Sequence, residues 1–124
     1  LESANIWQYL EYFTRDEFGY AQGVEPSTDL VLRLEQAREI AGVPFVITSG
    51  IRSNEHNAAV GGSPGSSHLT GNAVDIACTT SSDRFAILHA LIEVGFERIG
   101  IGSNFIHVDN DRSKPQGVCW RYDA

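Results

Sequence analysis

"SSHLTGNAVDIAC", residues 66–78, is the stretch on which the fold turns. It begins in a loop rich in serine and glycine and runs into an apolar segment. "AVDIAC" reads as a strand by period-two alternation, with Val74 and Ile76 on one face and Ala73, Asp75 and Ala77 on the other. His68 falls in the loop, seven positions before Asp75. A buried carboxylate without a partner costs several kcal/mol or takes up a proton, so the rest of the chain has to supply a partner for Asp75.

Working outward, "FVITSG" (45–50) follows Pro44 and has the β-branched content of a strand. Two more short strands are expected in "ERIGIG" (97–102) and "FIHVDN" (105–110). In the last of these Ile106 and Val108 face one way, and Phe105, His107 and Asp109 the other. Between the strands lie helices. "STDLVLRLEQAREIAG" repeats Leu30, Leu34, Ala37 and Ala41 at helical spacing and ends at Gly42. Ser82 and Asp83 open a second helix, for which Phe85, Leu88 and Ile92 form the expected apolar stripe before Gly95. In "FTRDEF" (13–18) Thr14 and Glu17 have the spacing of a capping box on a short helix. Residues 53–67 read as a loop, with room for one helical turn over "NEHNAAV". Short strands interspersed with helices predict an α+β domain over residues 1–124, with no internal repeat.

Composition narrows the function. A net charge of −7 argues against nucleic acid as a partner. No apolar stretch reaches the 18 residues of a membrane span. The first residues, "LESANIWQYLEYF", lack the basic start and apolar run of a signal peptide. Cys78 and Cys119 fit no zinc-finger spacing; they pair as one disulfide in an oxidising compartment or remain free thiols in a reducing one.

If the strands 73–78 and 105–110 are neighbours, Asp75 and His107 meet on the polar face and His68 reaches them from its loop. Two imidazoles and one carboxylate make a zinc site with one position left for water. The residues alone leave two other readings open, a satisfied strand histidine at 107 and a hydrogen-bonded core carboxylate at 75. His89, inside a helix, reads as a surface or boundary residue, and His56 in "NEHN" as a structural one.

"SSHLTGNAVD" resembles the SxHxxGxAxD motif of the zinc D-Ala-D-Ala peptidases at Ser66, His68, Gly71, Ala73 and Asp75. "ITSGIRSNEHNAAVGGSPGSSHLTGNAVDI" (47–76), "GIGSNFIHVD" (100–109) and "FTRDEF" resemble other parts of the same peptidase domain. The resemblance implies an α+β fold on a small antiparallel sheet flanked by helices, shared with hedgehog signalling domains. It implies Zn2+ held by His68, Asp75 and His107, with Ser66 at the substrate and Arg52 facing the metal to hold an oxyanion or a carboxylate. Arg52 in a surface salt bridge is the plainer alternative.

One position departs from the pattern. Many of these peptidases carry an acidic residue three positions before the last histidine, where this chain has Asn104. Asp109 is the nearest acidic candidate for a general base, or else it orients a ligand histidine. Asp111 and Glu55 are further candidates. The function expected is a monomeric zinc peptidase cleaving peptidoglycan stem or cross-link peptides next to a D-amino acid, in the cell envelope, the periplasm or outside the cell. The alternative is a zinc-containing binding module without turnover. A metal-free adaptor would need His68, Asp75 and His107 to lie apart.

Overall fold

The computed structural model describes residues 3–122, and its architecture is the expected α+β one. Helix α1 (Thr28–Ala41) begins where the Ser27 hydroxyl accepts the Leu30 N–H, and ends at Gly42 in the left-handed conformation. Leu30, Val31, Leu34 and Ala37 are buried along it, which is the predicted stripe with Val31 added and Ala41 only partly buried. Helix α2 (Asn54–Ala59) is the short turn foreseen in the loop, and α3 (Ser81–Glu93) starts on the Thr80 hydroxyl. Helices α1 and α3 pack together, and Arg33 Nη1 donates to the Val94 carbonyl at 2.7 Å to tie their ends.

The face of α3 differs from expectation. Ile87, Ala90 and Leu91 are buried, whereas Phe85 and Ile92 are exposed and Leu88 is partly buried. Apolar residues run around most of this helix, so periodicity by itself did not select the side that α1 and the sheet cover. Phe85 instead stacks on His89 at the surface, with ring centroids 6.1 Å apart.

Five strands form one sheet: β1 (Ile47–Ser49), β2 (Ala73–Ala77), β3 (Arg98–Ile101), β4 (Phe105–Asp109) and β5 (Val118–Arg121), in the order β1-β2-β4-β3-β5. Neighbours are antiparallel except β3 and β5, so the sheet is mixed where a purely antiparallel one was expected. Val74, Ile76, Ile106, Val108 and Ile99 turn into the core beneath α1 and α3. Phe13, Phe18 and Phe45 close one end of it, with the Phe13 and Phe18 rings edge to face at 5.6 Å.

The cysteines are not bridged. Cys78 is buried after β2, and Cys119 is exposed on β5 at the far edge. Three strand spacings, about 14 Å, separate the two strands, while a disulfide requires Cα atoms within about 7 Å.

Gly50 joins the fold to the residues of interest. Its backbone lies against Phe18, so a Cβ there would stand 2.4 Å from the Phe18 carbonyl oxygen. The neighbouring Ile51 N–H donates to that same oxygen at 2.8 Å. Gly50→Ala is therefore predicted to lose about 1–3 kcal/mol of stability, read as a lower urea midpoint with an unchanged slope.

Candidate metal centre

The register of β2 and β4 pairs Asp75 directly with His107. His68 comes from a 3₁₀ turn (Ser67–Thr70) just before β2, capped by the Ser66 hydroxyl, which accepts the His68 N–H. The left-handed Gly71, whose Cβ would meet the Glu25 carbonyl at 2.3 Å, redirects the chain from that turn towards the strand. His68, Asp75 and His107 each offer one donor atom, and these atoms lie within 4.8 Å of one another. Both histidines are buried.

Each imidazole is held from behind. His68 Nδ1 lies 2.8 Å from the Gly50 carbonyl, which can only accept, so Nδ1 carries the hydrogen. In the neutral ring Nε2 then presents a lone pair to Asp75 Oδ1, 3.4 Å away. His107 Nε2 lies 2.8 Å from Asp109 Oδ2 and Nδ1 lies 3.0 Å from Asp75 Oδ1; a cation held at Nδ1 leaves Nε2 to donate to Asp109. Lone pairs aimed at a carboxylate repel unless a proton or a cation lies between them. Donors about 2.0–2.1 Å from one tetrahedral zinc stand about 3.3 Å apart, close to these separations. The residues fit the ion in chemistry, in tautomer and in spacing.

Without a cation the cluster relies on protons. Burial raises the Asp75 pKa, but hydrogen bonds from His107 and His68 outweigh it and hold the carboxyl well below its usual range. Burial lowers the His107 pKa, and hydrogen bonds to Asp109 and Asp75 outweigh that and raise it above the ordinary value. Asp109 is almost fully buried; burial pushes its pKa up, and His107, the Asp111 N–H and Arg98 pull it down.

The cluster lies at the floor of a cavity of about 430 Å³. Arg52 is on its wall, with Nε donating to the Ser49 hydroxyl at 3.1 Å, Nη1 to Asn57 Oδ1 at 3.1 Å, and Nη2 3.5 Å from Asp75 Oδ2. The surface-salt-bridge reading of Arg52 is thereby set aside: its partner is the central carboxylate. Ser66 and Asp109 also line the cavity. Asn104 is exposed at the β3–β4 turn, and its backbone carbonyl accepts the Cys78 N–H. Glu55 and His56 are exposed on α2, and His89 on α3, all outside the cluster. Asp111 accepts from the Ser67 hydroxyl at 2.6 Å behind the cavity wall.

Several residues around the cluster were not singled out from sequence. Asn57 is buried, anchors Arg52, and donates to the Ser63 carbonyl. Arg98 Nε donates to Asp109 Oδ1 at 2.7 Å. Trp120 and Tyr122 wall the cavity from β5 and the residue after it. An asparagine between His56 and Ala58 in a six-residue helix and a tryptophan on a four-residue edge strand carry no periodic signal that would have marked them.

Two imidazoles and a carboxylate converging in a cleft, each ring oriented by a second acceptor, are a donor set that could hold a zinc ion. Residues 8–109 match the Peptidase M15 family, and the chain belongs to it, the family of zinc D-Ala-D-Ala carboxypeptidases. Its members are zinc-dependent metallopeptidases. No individually curated protein matches the chain.

The purified protein is predicted to take up one zinc per chain, and His68→Ala, Asp75→Ala or His107→Ala to abolish tight uptake, measured by chelator competition and elemental analysis. The pH dependence follows from His107. Its pKa is raised in the metal-free fold and the ion requires the neutral ring, so affinity is full above that pKa and falls as pH drops through it.

Proposed function

We propose that this chain is a zinc peptidase that hydrolyses peptidoglycan stem or cross-link peptides at a bond to a D-amino acid. The observation that carries the reading is the convergence of His68, Asp75 and His107, with tautomers fixed from behind, on the floor of a cavity that also holds Arg52. Bound zinc would supply Lewis acidity, polarising a carbonyl and acidifying water. The chain's own residues do the rest.

Arg52 is fixed by Ser49 and Asn57 on one side, while its Nη2 contact to Asp75 is long for a hydrogen bond. With Asp75 turned to the metal, that edge of the guanidinium is available to a developing oxyanion or a substrate carboxylate. Ser66 holds the His68 turn from its cap and lines the cavity, within reach of the substrate.

For Asp109 the geometry supports positioning over proton transfer. Oδ2 accepts from His107, and Oδ1 accepts from Arg98 and from the Asp111 N–H at 3.1 Å. Both oxygens are occupied, and the carboxyl is held ionised. Among the described residues the cavity wall carries no other carboxylate than Asp75 and Asp109. That observation favours a second reading, a metal-holding binding module of the same fold without turnover. The cell envelope, the periplasm or the cell exterior is the compartment such a substrate requires.

Zinc-loaded protein is expected to release D-amino acids or shorter peptides from purified muropeptides, read by mass spectrometry and lost on chelation. No product at any zinc concentration would leave the binding module. Asp109→Asn is expected to weaken zinc affinity about 10- to 100-fold with activity returning at high zinc. Retained zinc with activity lower by about 100- to 10,000-fold would make Asp109 the base instead.

A further inference from the structure

The family match ends at Asp109, and the chain goes on to build part of the cavity beyond it. Residues 111–117 are stitched across the serine loop. Lys114 Nζ donates to the Gly65 carbonyl at 2.7 Å and to the Ser67 hydroxyl at 2.9 Å, and Arg98 Nη1 donates to the Pro115 carbonyl at 2.8 Å. Strand β5 then runs parallel to β3, with Trp120 opposite Gly100, and Gly100 is opposite His107 on β4. Asp75, His107, Gly100 and Trp120 thus form one row across the sheet.

Gly100 is the gap in that row. A Cβ there would lie 2.6 Å from both Trp120 Nε1 and Tyr122 Cε2, so only glycine lets the two rings fold over β3 towards the cluster. The Trp120 ring lies 5.6 Å from the His107 ring, and the Tyr122 ring 6.2 Å from it. Trp120 and Tyr122 meet at 68°, and Tyr122 leans on Phe105 at 5.2 Å. Together they make an apolar corner beside the candidate metal position.

The surroundings specify what the corner takes. Arg98 covers one face of Trp120, 5.0 Å from the ring, and directs its Nε and Nη1 to Asp109 and the Pro115 carbonyl. The Lys114 ammonium is likewise engaged with Gly65 and Ser67. A cationic side chain meets Arg52, Arg98 and Lys114 around the same cavity, and the Trp120 and Tyr122 rings present a surface of carbon apart from one indole N–H and one phenol hydroxyl. Tyr122 keeps 41% of its surface exposed, leaving ring area for a ligand to cover.

We propose that Trp120 and Tyr122, placed by Gly100, form a specificity wall that receives an uncharged aliphatic side chain flanking the scissile bond. The proposal rests on the zinc-peptidase reading above and adds the residues that choose its substrate. Burying one aliphatic side chain against such rings is worth about 10- to 100-fold in affinity.

The test uses the zinc-loaded 124-residue chain and phosphinate dipeptide analogues, which bind zinc centres without being cleaved. One analogue has no side chains, one carries isopropyl groups, one aminobutyl and one carboxyethyl, and each is titrated calorimetrically. Wild type is expected to prefer the isopropyl analogue to the side-chain-free one by about 10-fold or more, and to both charged analogues. Trp120→Ala and Tyr122→Ala should erase that preference, Trp120→Phe should keep most of it, and zinc affinity should stay within about two-fold in all three. Gly100→Ala should act like Trp120→Ala by displacing both rings. A preference for a charged analogue, or losses equal for the isopropyl and side-chain-free analogues, would overturn the wall. Failure of every phosphinate to bind zinc-loaded wild type would overturn the peptidase reading itself, and the wall with it.

Discussion

Asp75 and His107 face each other across β2 and β4 because the opposite faces of those strands are buried. Val74 pairs with Val108 and Ile76 with Ile106, all four fully shielded beneath the helices. Slipping either strand by one residue would send Asp75 or His107 into the hydrocarbon core and bring isoleucine and valine out. The apolar register therefore fixes the polar one. His68 needs no register of its own, since it hangs from the turn that feeds β2 and is set by the Gly50 carbonyl on the adjoining chain.

The arrangement behind the cluster carries as much information as the cluster. A carbonyl behind His68 and a carboxylate behind His107 fix which ring nitrogens look inward. Asp109 is in turn fixed by Arg98, and Arg98 by Pro115 and Trp120. A chain of contacts thus runs from the cavity floor to the last strand. Such a chain confers rigidity at the cost of proton-transfer capacity, because a carboxylate with both oxygens occupied by donors is a poor acceptor for another proton. The same physics explains why Asp109, close to the metal position, is better suited to orient than to catalyse.

The fold class and the convergence of His68, Asp75 and His107 were legible in the sequence, and the details of the packing around them were not. Period-two alternation in 73–77 and 105–109 put Asp75 and His107 each on the polar face of its strand, because alternation is a rigid consequence of strand geometry; that the two strands are neighbours is shown by their pairing. The motif spacing brought in His68, and the resemblance brought in Arg52. The buried face of α3 was misread because a helix apolar on several sides has no single stripe to follow, and the final choice belongs to tertiary packing. Strand β5 escaped because "VCWR" is four residues long at a sheet edge, mostly exposed, and joined in parallel through a loop. The same oversight allowed a Cys78–Cys119 bridge to be entertained: the strand order that separates the two cysteines depends on β5.

Edge position also explains why β5 is where a site can vary. A central strand such as β4 is constrained on both faces and by both neighbours, so its residues answer to the core first. β5 has one neighbour and one half-covered face, and its side chains can change without unpacking α1 and α3. What it does require is space, and Gly100 supplies it on the strand between β5 and the cluster. A glycine with an ordinary backbone conformation inside a strand weakens that strand, so its presence calls for a steric reason. Here the reason is the two rings that occupy the volume a side chain would have taken. The residues at 100 on β3, at 120 on β5 and at 122 just after it are therefore a single structural decision, made outside the ligand set and able to shape what reaches it.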